Sequence, residues 1–388
     1  MDKAALQQIL EGHFRWFHRH PEPSNMEKET TAQIRRILDE AGVEVIETKL
    51  KTGLVARIQG RRPKPVIALR CDIDALPVTE ATGLDYASEN LGFMHACGHD
   101  FHICALLGAA LLLKEEAENL EGSVTLLFQP AEEGGGGALQ VLKSEVLGNA
   151  SEIYGLHCAA HLEPGVIGVS PNATYAAVGM FKILIKGKGA HAAAPHDSLD
   201  PITTAAQLIN TAQVIVSRNT NPFDQAVLSF THIEAGNTWN VIPETALLEG
   251  TFRAFKDEKL KTIALRLEEI TRGIAAANLV DIDFSHREYN SATNNDPALV
   301  ELLIKTAKAL GLETVPDLPN MGGEDFALYQ KRIPGVLWTI GIGSPEGHHH
   351  PGFIANPAPL STAAELFAAI ARDSLLRLSG GGKDIGVK

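Results

Sequence analysis

Two stretches of alternating strand and helix, separated by a stretch with a different order, set the fold of this chain. In residues 1–178, short apolar runs read as strands at LVARIQG (54–60), PVIALR (65–70), SVTLLF (123–128) and EIYGLH (152–157). Helical periodicity covers 3–19, 26–41, 100–117 and 136–146. Strands alternating with helices predict an α/β fold with a mostly parallel sheet. Residues 179–291 change texture: a strand at 181–189, a helix at 201–216, strands at 226–236 and 245–255, a helix at 256–276 and a strand at 279–289. That β-α-β-β-α-β order is the split-βαβ unit, a small ferredoxin-like α+β domain complete in itself. From 292 the α/β texture returns, with a helix at 296–310, the segment 323–332, a strand at 337–343 and a helix at 361–378. The expectation is one α/β domain, 1–178 plus 292–388, interrupted by an inserted domain at 179–291.

Composition agrees. At roughly 100–200 residues per domain, 388 residues hold two domains, and 45% hydrophobic content is that of a globular chain. The net charge of −13 argues against nucleic acid or an anionic membrane as partner. The longest apolar run, ICALLGAALLL (103–113), is shorter than the ~20 residues of a membrane span. The N-terminus has an amphipathic helix (Leu6, Leu10, Phe14, Phe17) in place of a secretory leader. Cysteines at 71, 97, 104 and 158 form no CxxC pair, so neither a disulfide scaffold nor a zinc knuckle is predicted. A cytoplasmic protein is expected, with a Gly-rich tail (379–388) that frays.

The chemistry lies at strand ends. PVIALR runs into Cys71-Asp72-Ile73-Asp74, SVTLLF into Gln129-Pro130-Ala131-Glu132-Glu133, EIYGLH ends in His157, and LWTIGIG leads to His348-His349-His350. Open α/β sheets place their sites at the carboxyl ends of strands. His95-Ala96-Cys97-Gly98-His99-Asp100 directly precedes an apolar helix. There Cys97 and His99 can converge, Gly98 gives an ion room to approach, and Asp100 can cap the helix or support a ligating imidazole. Cys, His and carboxylate donors suit zinc or another first-row ion and argue against magnesium. Cys97, His99, Glu133, His157 and one of the histidines at 348–350 exceed the needs of one catalytic zinc and fit two ions. In the Glu132-Glu133 pair one carboxylate can ligate while the other acts as general base.

These residues resemble a known family. MHACGHD (94–100), CDIDALP (71–77), QPAEEG (129–134), GLH (155–157), GAHAAAPH (189–196), GNTWNVIP (236–243), GTFRA (250–254), GGEDF (322–326) and HHPGF (349–353) look like the M20 metallopeptidases. They resemble most closely the amidohydrolase branch: N-acyl-amino-acid amidohydrolases, hippurate hydrolases and auxin-conjugate hydrolases. The resemblance implies a centre of two divalent ions, with zinc preferred and Mn, Co or Ni also accepted. It implies Cys97, His99, Glu133, His157 and His349 as ligands, His349 being selected by Pro351 and Phe353. It further implies Glu132 as general base and His191 as the group that polarises the scissile carbonyl, reaching the site from a partner subunit. Asn240 and Arg253 match positions that hold a substrate carboxylate, and an Arg fork pairs well with such a group. His196 is a further substrate-binding candidate. Asp74, Asp100 and Glu324 are read as supports of the ligands. Asp72 stands where other branches carry a metal-binding His. His13, His18, His20, His102, His161, His232 and His286 are read as ordinary.

The implied reaction is hydrolysis of an N-acyl-L-amino acid by a homodimer joined through the inserted domain, whose open sheet edge needs covering. A dipeptidase or aminobenzoyl-glutamate hydrolase on the same centre is the alternative within enzymes. A cysteine hydrolase using Cys97 and a non-catalytic binding protein are the rivals from other classes.

Overall fold

The computed structural model describes residues 1–134 and 136–380; the expected fraying of the tail falls mainly on 381–388, outside the described residues. The chain divides into two compact units. The first comprises Met1–Asn172, Asn294–Leu318 and the chain from Leu328 onward; the second comprises Ala173–Thr293 with Pro319–Ala327. The segment 319–327, expected with the α/β part, therefore clusters with the second unit. Its attachments there include a bridge from Tyr175 to Asn320, backbone hydrogen bonds with Thr174 and Ala176, and the Arg253 guanidinium on Met321 O.

In the first unit an eight-stranded sheet runs in the order Glu44–Ile46, Leu54–Gln59, Ser123–Gln129, Val66–Asp72, Glu152–Ala159, Gly335–Gly341, Ile167–Gly168, Thr314–Val315. The four central strands, from Ser123–Gln129 to Gly335–Gly341, are mutually parallel. Every residue of Ser123–Gln129, Glu152–Ala159 and Gly335–Gly341 is buried, as expected of parallel strands covered on both faces. The helix His99–Glu115 is apolar nearly all round and buried accordingly. It packs against Lys3–Arg19, which turns Leu6, Leu10, Phe14 and Phe17 inward, and against Leu360–Leu378. Gly108 permits that convergence: a Cβ there would stand 2.6 Å from Ala364 Cβ and 2.8 Å from a Leu10 methyl.

The second unit is a four-stranded antiparallel sheet in the order Ala226–Ala235, Thr245–Ala254, Ala177–Lys186, Asp281–Asn290. Burial alternates residue by residue along Ala177–Lys186 and Thr245–Ala254, so one face is covered. Helices Pro201–Ala212 and Asp257–Asn278 cover it over a core that includes Phe181, Ile183, Leu248 and Phe252. Asp200 caps the first helix, accepting from Ile202 N and Thr203 N, with Pro201 at its first position. The single helix expected over 201–216 breaks after Ala212, and Val214–Asn219 follows as a separate piece. No described helix is long and apolar enough to cross a membrane.

Candidate active site

The strand Val66–Asp72 lies between Ser123–Gln129 and Glu152–Ala159, and the chain visits the two neighbours in turn on opposite sides. That reversal opens a crevice at the carboxyl ends of these strands. Asp74, just past the first strand, builds the loop beside it. Its carboxylate accepts from Glu132 N at 3.1 Å, Glu133 N at 3.0 Å and Ser24 Oγ at 2.6 Å. The two adjacent glutamates are thus held in place through their backbone N–H groups.

The MHACGHD loop passes close to the third strand. Gly98 adopts φ 81°, and a Cβ there would come within 2.7 Å of Cys158 Sγ. His99 opens the helix behind it, and its Nδ1 bonds to Asp74 O at 2.8 Å, leaving Nε2 toward the crevice. His157 behaves alike: Nδ1 is 2.8 Å from Cys158 O, and Nε2 lies 3.4 Å from Cys97 Sγ. His349, at φ 65°, donates its backbone N–H to Ala96 O at 2.8 Å and places Nε2 3.4 Å from Glu133 Oε1. Of the three consecutive histidines, His350 accepts from Gly352 N at 3.1 Å, and the His348 ring lies 5.1 Å from that of His157.

The donor set fits metal ions. The ligand atoms of Cys97, His99 and His157 lie within 4.8 Å of one another, as do those of Cys97, Glu133 and His349, and those of His99, Glu132 and Glu133. Donors around one tetrahedral ion at ordinary bond lengths stand roughly 3.3–3.6 Å apart, and two of the distances above are 3.4 Å. His99 Nε2 and Glu133 Oε1 are buried, 3.9 Å apart, and without a hydrogen-bond partner. Buried polar atoms of a native fold are ordinarily satisfied, so these two are aimed at something that binds between them. Burial works against a charge on His99, yet Asp72 and Asp74, with Glu133 behind them, hold its pKa up at about 10. Burial pushes the Cys97 thiol well up, and the Glu133 and Glu132 carboxylates add to it. Without a cation beside it, Cys97 is therefore a poor thiolate.

Beneath the crevice runs a polar network that sequence reasoning missed. Tyr329 Oη and Arg70 Nε both donate to Gln129 Oε1, at 2.8 and 2.9 Å. Arg70 donates to Asp72 Oδ2 at 2.8 Å, and His102 Nδ1 stands 2.6 Å from Asp72 Oδ1. Asp72, despite its place in the family pattern, is occupied by Arg70 and His102, which with His99 hold its carboxyl well below the usual range against burial. Asp100 likewise departs from expectation. It bonds His18 Nδ1 at 2.7 Å and Phe101 N at 2.8 Å, not a ligand imidazole. The ordinary reading of His18 and His102 is corrected here, since both sit in buried ion-paired networks. For His102 a signal existed: it lies three residues after His99 on the same helix face.

The second unit carries the remaining candidates. Ala190–His191 pairs with Val241–Ile242, and Ala192 N donates to Asn240 O at 3.0 Å, so His191 and Asn240 share one short ribbon. Trp239, beside them, is 91% exposed. Ala193 N donates to His191 Nδ1 at 3.0 Å, which places the proton of the neutral ring on Nε2. Arg253 lies on a different strand and gives one donor to Met321 O at 2.6 Å. His196 is exposed, 3.8 Å from Asp197. Glu324 is buried and accepts from Phe326 N at 2.9 Å.

Known proteins resemble this chain in sequence and in fold. The profile of peptidase family M20/M25/M40 matches residues 68–373. The N-acetylcysteine deacetylase of Bacillus subtilis (strain 168) is 44% identical over 355 residues, spanning 91% of this chain and 93% of that protein. The IAA-amino acid hydrolase ILR1-like 4 of Arabidopsis thaliana is 39% identical over 375 residues, spanning 94% and 85%. A crystal structure of the Bacillus subtilis YXEP protein, described as a dinuclear metal binding peptidase of the M20 family, superposes with a TM-score of 0.88. It is 40% identical and covers 96% of this chain and 99% of that one.

Proposed function

The chain belongs to peptidase family M20/M25/M40 and is a metal-dependent amidohydrolase of N-acyl amino acids, and from that premise we propose the following assignment of its parts. The substrate is an N-acyl-L-amino acid whose acyl group is acetyl or aromatic (aroyl), and water cleaves its amide to a carboxylic acid and a free amino acid. Cys97, His99, Glu133, His157 and His349 hold two divalent ions, zinc by preference and Mn, Co or Ni as alternatives. The observation that carries this is the buried, unpartnered pair His99 Nε2 and Glu133 Oε1 within a Cys/His/Glu donor set. When bound, such a metal pair lowers the pKa of a water and offsets negative charge developing on the substrate carbonyl.

The chain's own residues supply the rest. Glu132 takes the proton of the attacking water and passes it to the leaving nitrogen. Its backbone is pinned by Asp74, which fixes where its carboxylate starts from. The Nε2–H of His191 is the donor that a scissile carbonyl oxygen requires. Arg253 and Asn240 receive the substrate carboxylate, with His196 near the same ribbon.

We read residues 1–178 plus 292–388 as the catalytic domain and 179–291 as a ferredoxin-like lid and dimerisation domain. The strand order of the second unit supports this. Its edge strands Ala226–Ala235 and Asp281–Asn290 favour pairing with a second copy in a cytoplasmic homodimer, and the exposed Trp239 beside His191 suits contact with substrate or partner. Light scattering showing only monomer at micromolar concentration would remove the dimer and the in-trans role of His191. The principal test strips the protein of metal, restores Zn, Mn, Co or Ni singly, and assays N-acetyl-, N-benzoyl- and dipeptide substrates. Activity must vanish on stripping and return with metal, with acyl-amino acids cleaved faster than dipeptides. Activity that survives chelation would return the assignment to a cysteine hydrolase.

A further inference from the structure

The His102 ring packs edge-on against that of His157, with centroids 4.8 Å apart, while its ring nitrogens bond elsewhere. The argument begins with a hydrogen-bond donor that has no choice. Cys158 N is a backbone N–H and lies 2.8 Å from His102 Nε2, so Nε2 must be the acceptor. The Cys158 thiol stands on the same side, 3.1 Å from that nitrogen. The proton of the His102 ring is therefore on Nδ1, which lies 2.6 Å from Asp72 Oδ1 and donates to it. Asp72 is held in turn by Arg70 at 2.8 Å. His102, Asp72 and Arg70 are all fully buried.

The peptide that His102 grips belongs to the residue after His157. The carbonyl of Cys158 lies 2.8 Å from His157 Nδ1 and can only accept, so His157 carries its proton on Nδ1 and presents a bare Nε2 to the crevice. One residue, Cys158, thus has its N–H held by His102 and its C=O engaged by His157. We propose that His102 is a positioning residue, fixed by Arg70 and Asp72, that sets the orientation and tautomer of the metal ligand His157 through the backbone of Cys158. The relay fits the general behaviour of metal sites, in which partners behind the ligand tune affinity about 10–100-fold. Here the hydrogen bond goes to the peptide beside the ligand and not to the ligand's own ring.

This inference rests on the two-metal reading, and the test separates their failures. The full chain, stripped of metal, is titrated with Co(II), whose ligand-field and thiolate charge-transfer bands report the coordination shell. Wild-type protein should take up two ions. Asn at position 102 keeps the Asp72 contact but falls short of Cys158 N, whereas Gln reaches it with an acceptor oxygen. His102→Asn should therefore weaken one Co(II) ion about 10–100-fold and alter its bands, while His102→Gln stays within a few-fold of wild type. If wild type itself takes up no cobalt, the metal reading fails and this inference with it. If wild type binds but both variants match it, or both lose equally, the positioning role alone is overturned. A second measurement needs no variant. Nitrogen-detected NMR of the imidazoles in zinc-loaded wild-type protein should show both His102 and His157 as Nδ1–H tautomers. An Nε2–H tautomer or an imidazolium at His102 refutes the relay.

Discussion

Replacing His18 with Gln should destabilise the protein in a pH-dependent manner. The imidazole is 2% exposed and lies between two carboxylates, with Nδ1 2.7 Å from Asp100 and Nε2 3.3 Å from Glu80. Burial disfavours its charge, but Asp100 and Glu80 outweigh burial and raise its pKa from 6.5 to about 9. The folded value lies above the unfolded one. The contribution is therefore fully present below about pH 6.5, declines as pH rises, and is gone above about pH 9. At about 1.4 kcal/mol per pH unit, that interval corresponds to about 3 kcal/mol. The variant has no titrating group at this position, so the gap between the two proteins should narrow by that amount across the window. The assay is urea denaturation of both proteins at matched pH values from about 6 to about 10. A gap that stays constant, or widens with pH, would show a neutral imidazole in the folded chain and refute the reasoning.

Three further outcomes are expected. Glu132→Gln should lower kcat roughly a hundred- to ten-thousand-fold while keeping metal content and KM; wild-type turnover would remove Glu132 as the base. Arg70→Met leaves the buried Asp72 without its guanidinium and should cost about 3–5 kcal/mol in urea denaturation; a cost under about 1 kcal/mol would mean the pair is not ionised as described. Gly250→Ala places a methyl 2.1 Å from Ser229 O and 2.4 Å from the Phe181 ring, so the second unit should lose about 1–3 kcal/mol. Unchanged hydrogen exchange along Thr245–Ala254 would contradict that packing.

The periodicity of apolar residues made most elements legible, because burial sets both the pattern and the structure. Strands 54–60, 123–128 and 226–236 end within a residue of Leu54–Gln59, Ser123–Gln129 and Ala226–Ala235. The ligand candidates were legible for a related reason, since a Cys, His or Glu pair at a strand end breaks the apolar pattern where solvent or an ion must be met. The supports were not legible. Asp100 looked like a partner for His99, but the carbonyl of Asp74 takes that place, and Asp100 turns to His18 from the first helix. Such pairings join residues dozens of positions apart and leave no periodic trace. The Gly of GTFRA, one of the stretches that carry the family resemblance, is explained by packing: Ser229 O and the Phe181 ring leave no room for a Cβ.

The −13 charge of the chain makes the electrostatics of the crevice more demanding. Asp72, Asp74, Glu132, Glu133 and the thiol of Cys97 crowd into one region. Arg70 answers Asp72, and backbone amides answer Asp74. His99 adds one positive charge, its pKa held up at about 10 by the surrounding carboxylates despite burial. A carboxylate-bearing substrate would be repelled by such a site, whereas divalent ions bound on the same donors would reverse its sign. Deprotonation of His99 and Cys97 is then the condition for seating them. The acidity of the crevice therefore suits it to gathering cations, and bound cations would create the local positive potential that a carboxylate-bearing substrate requires.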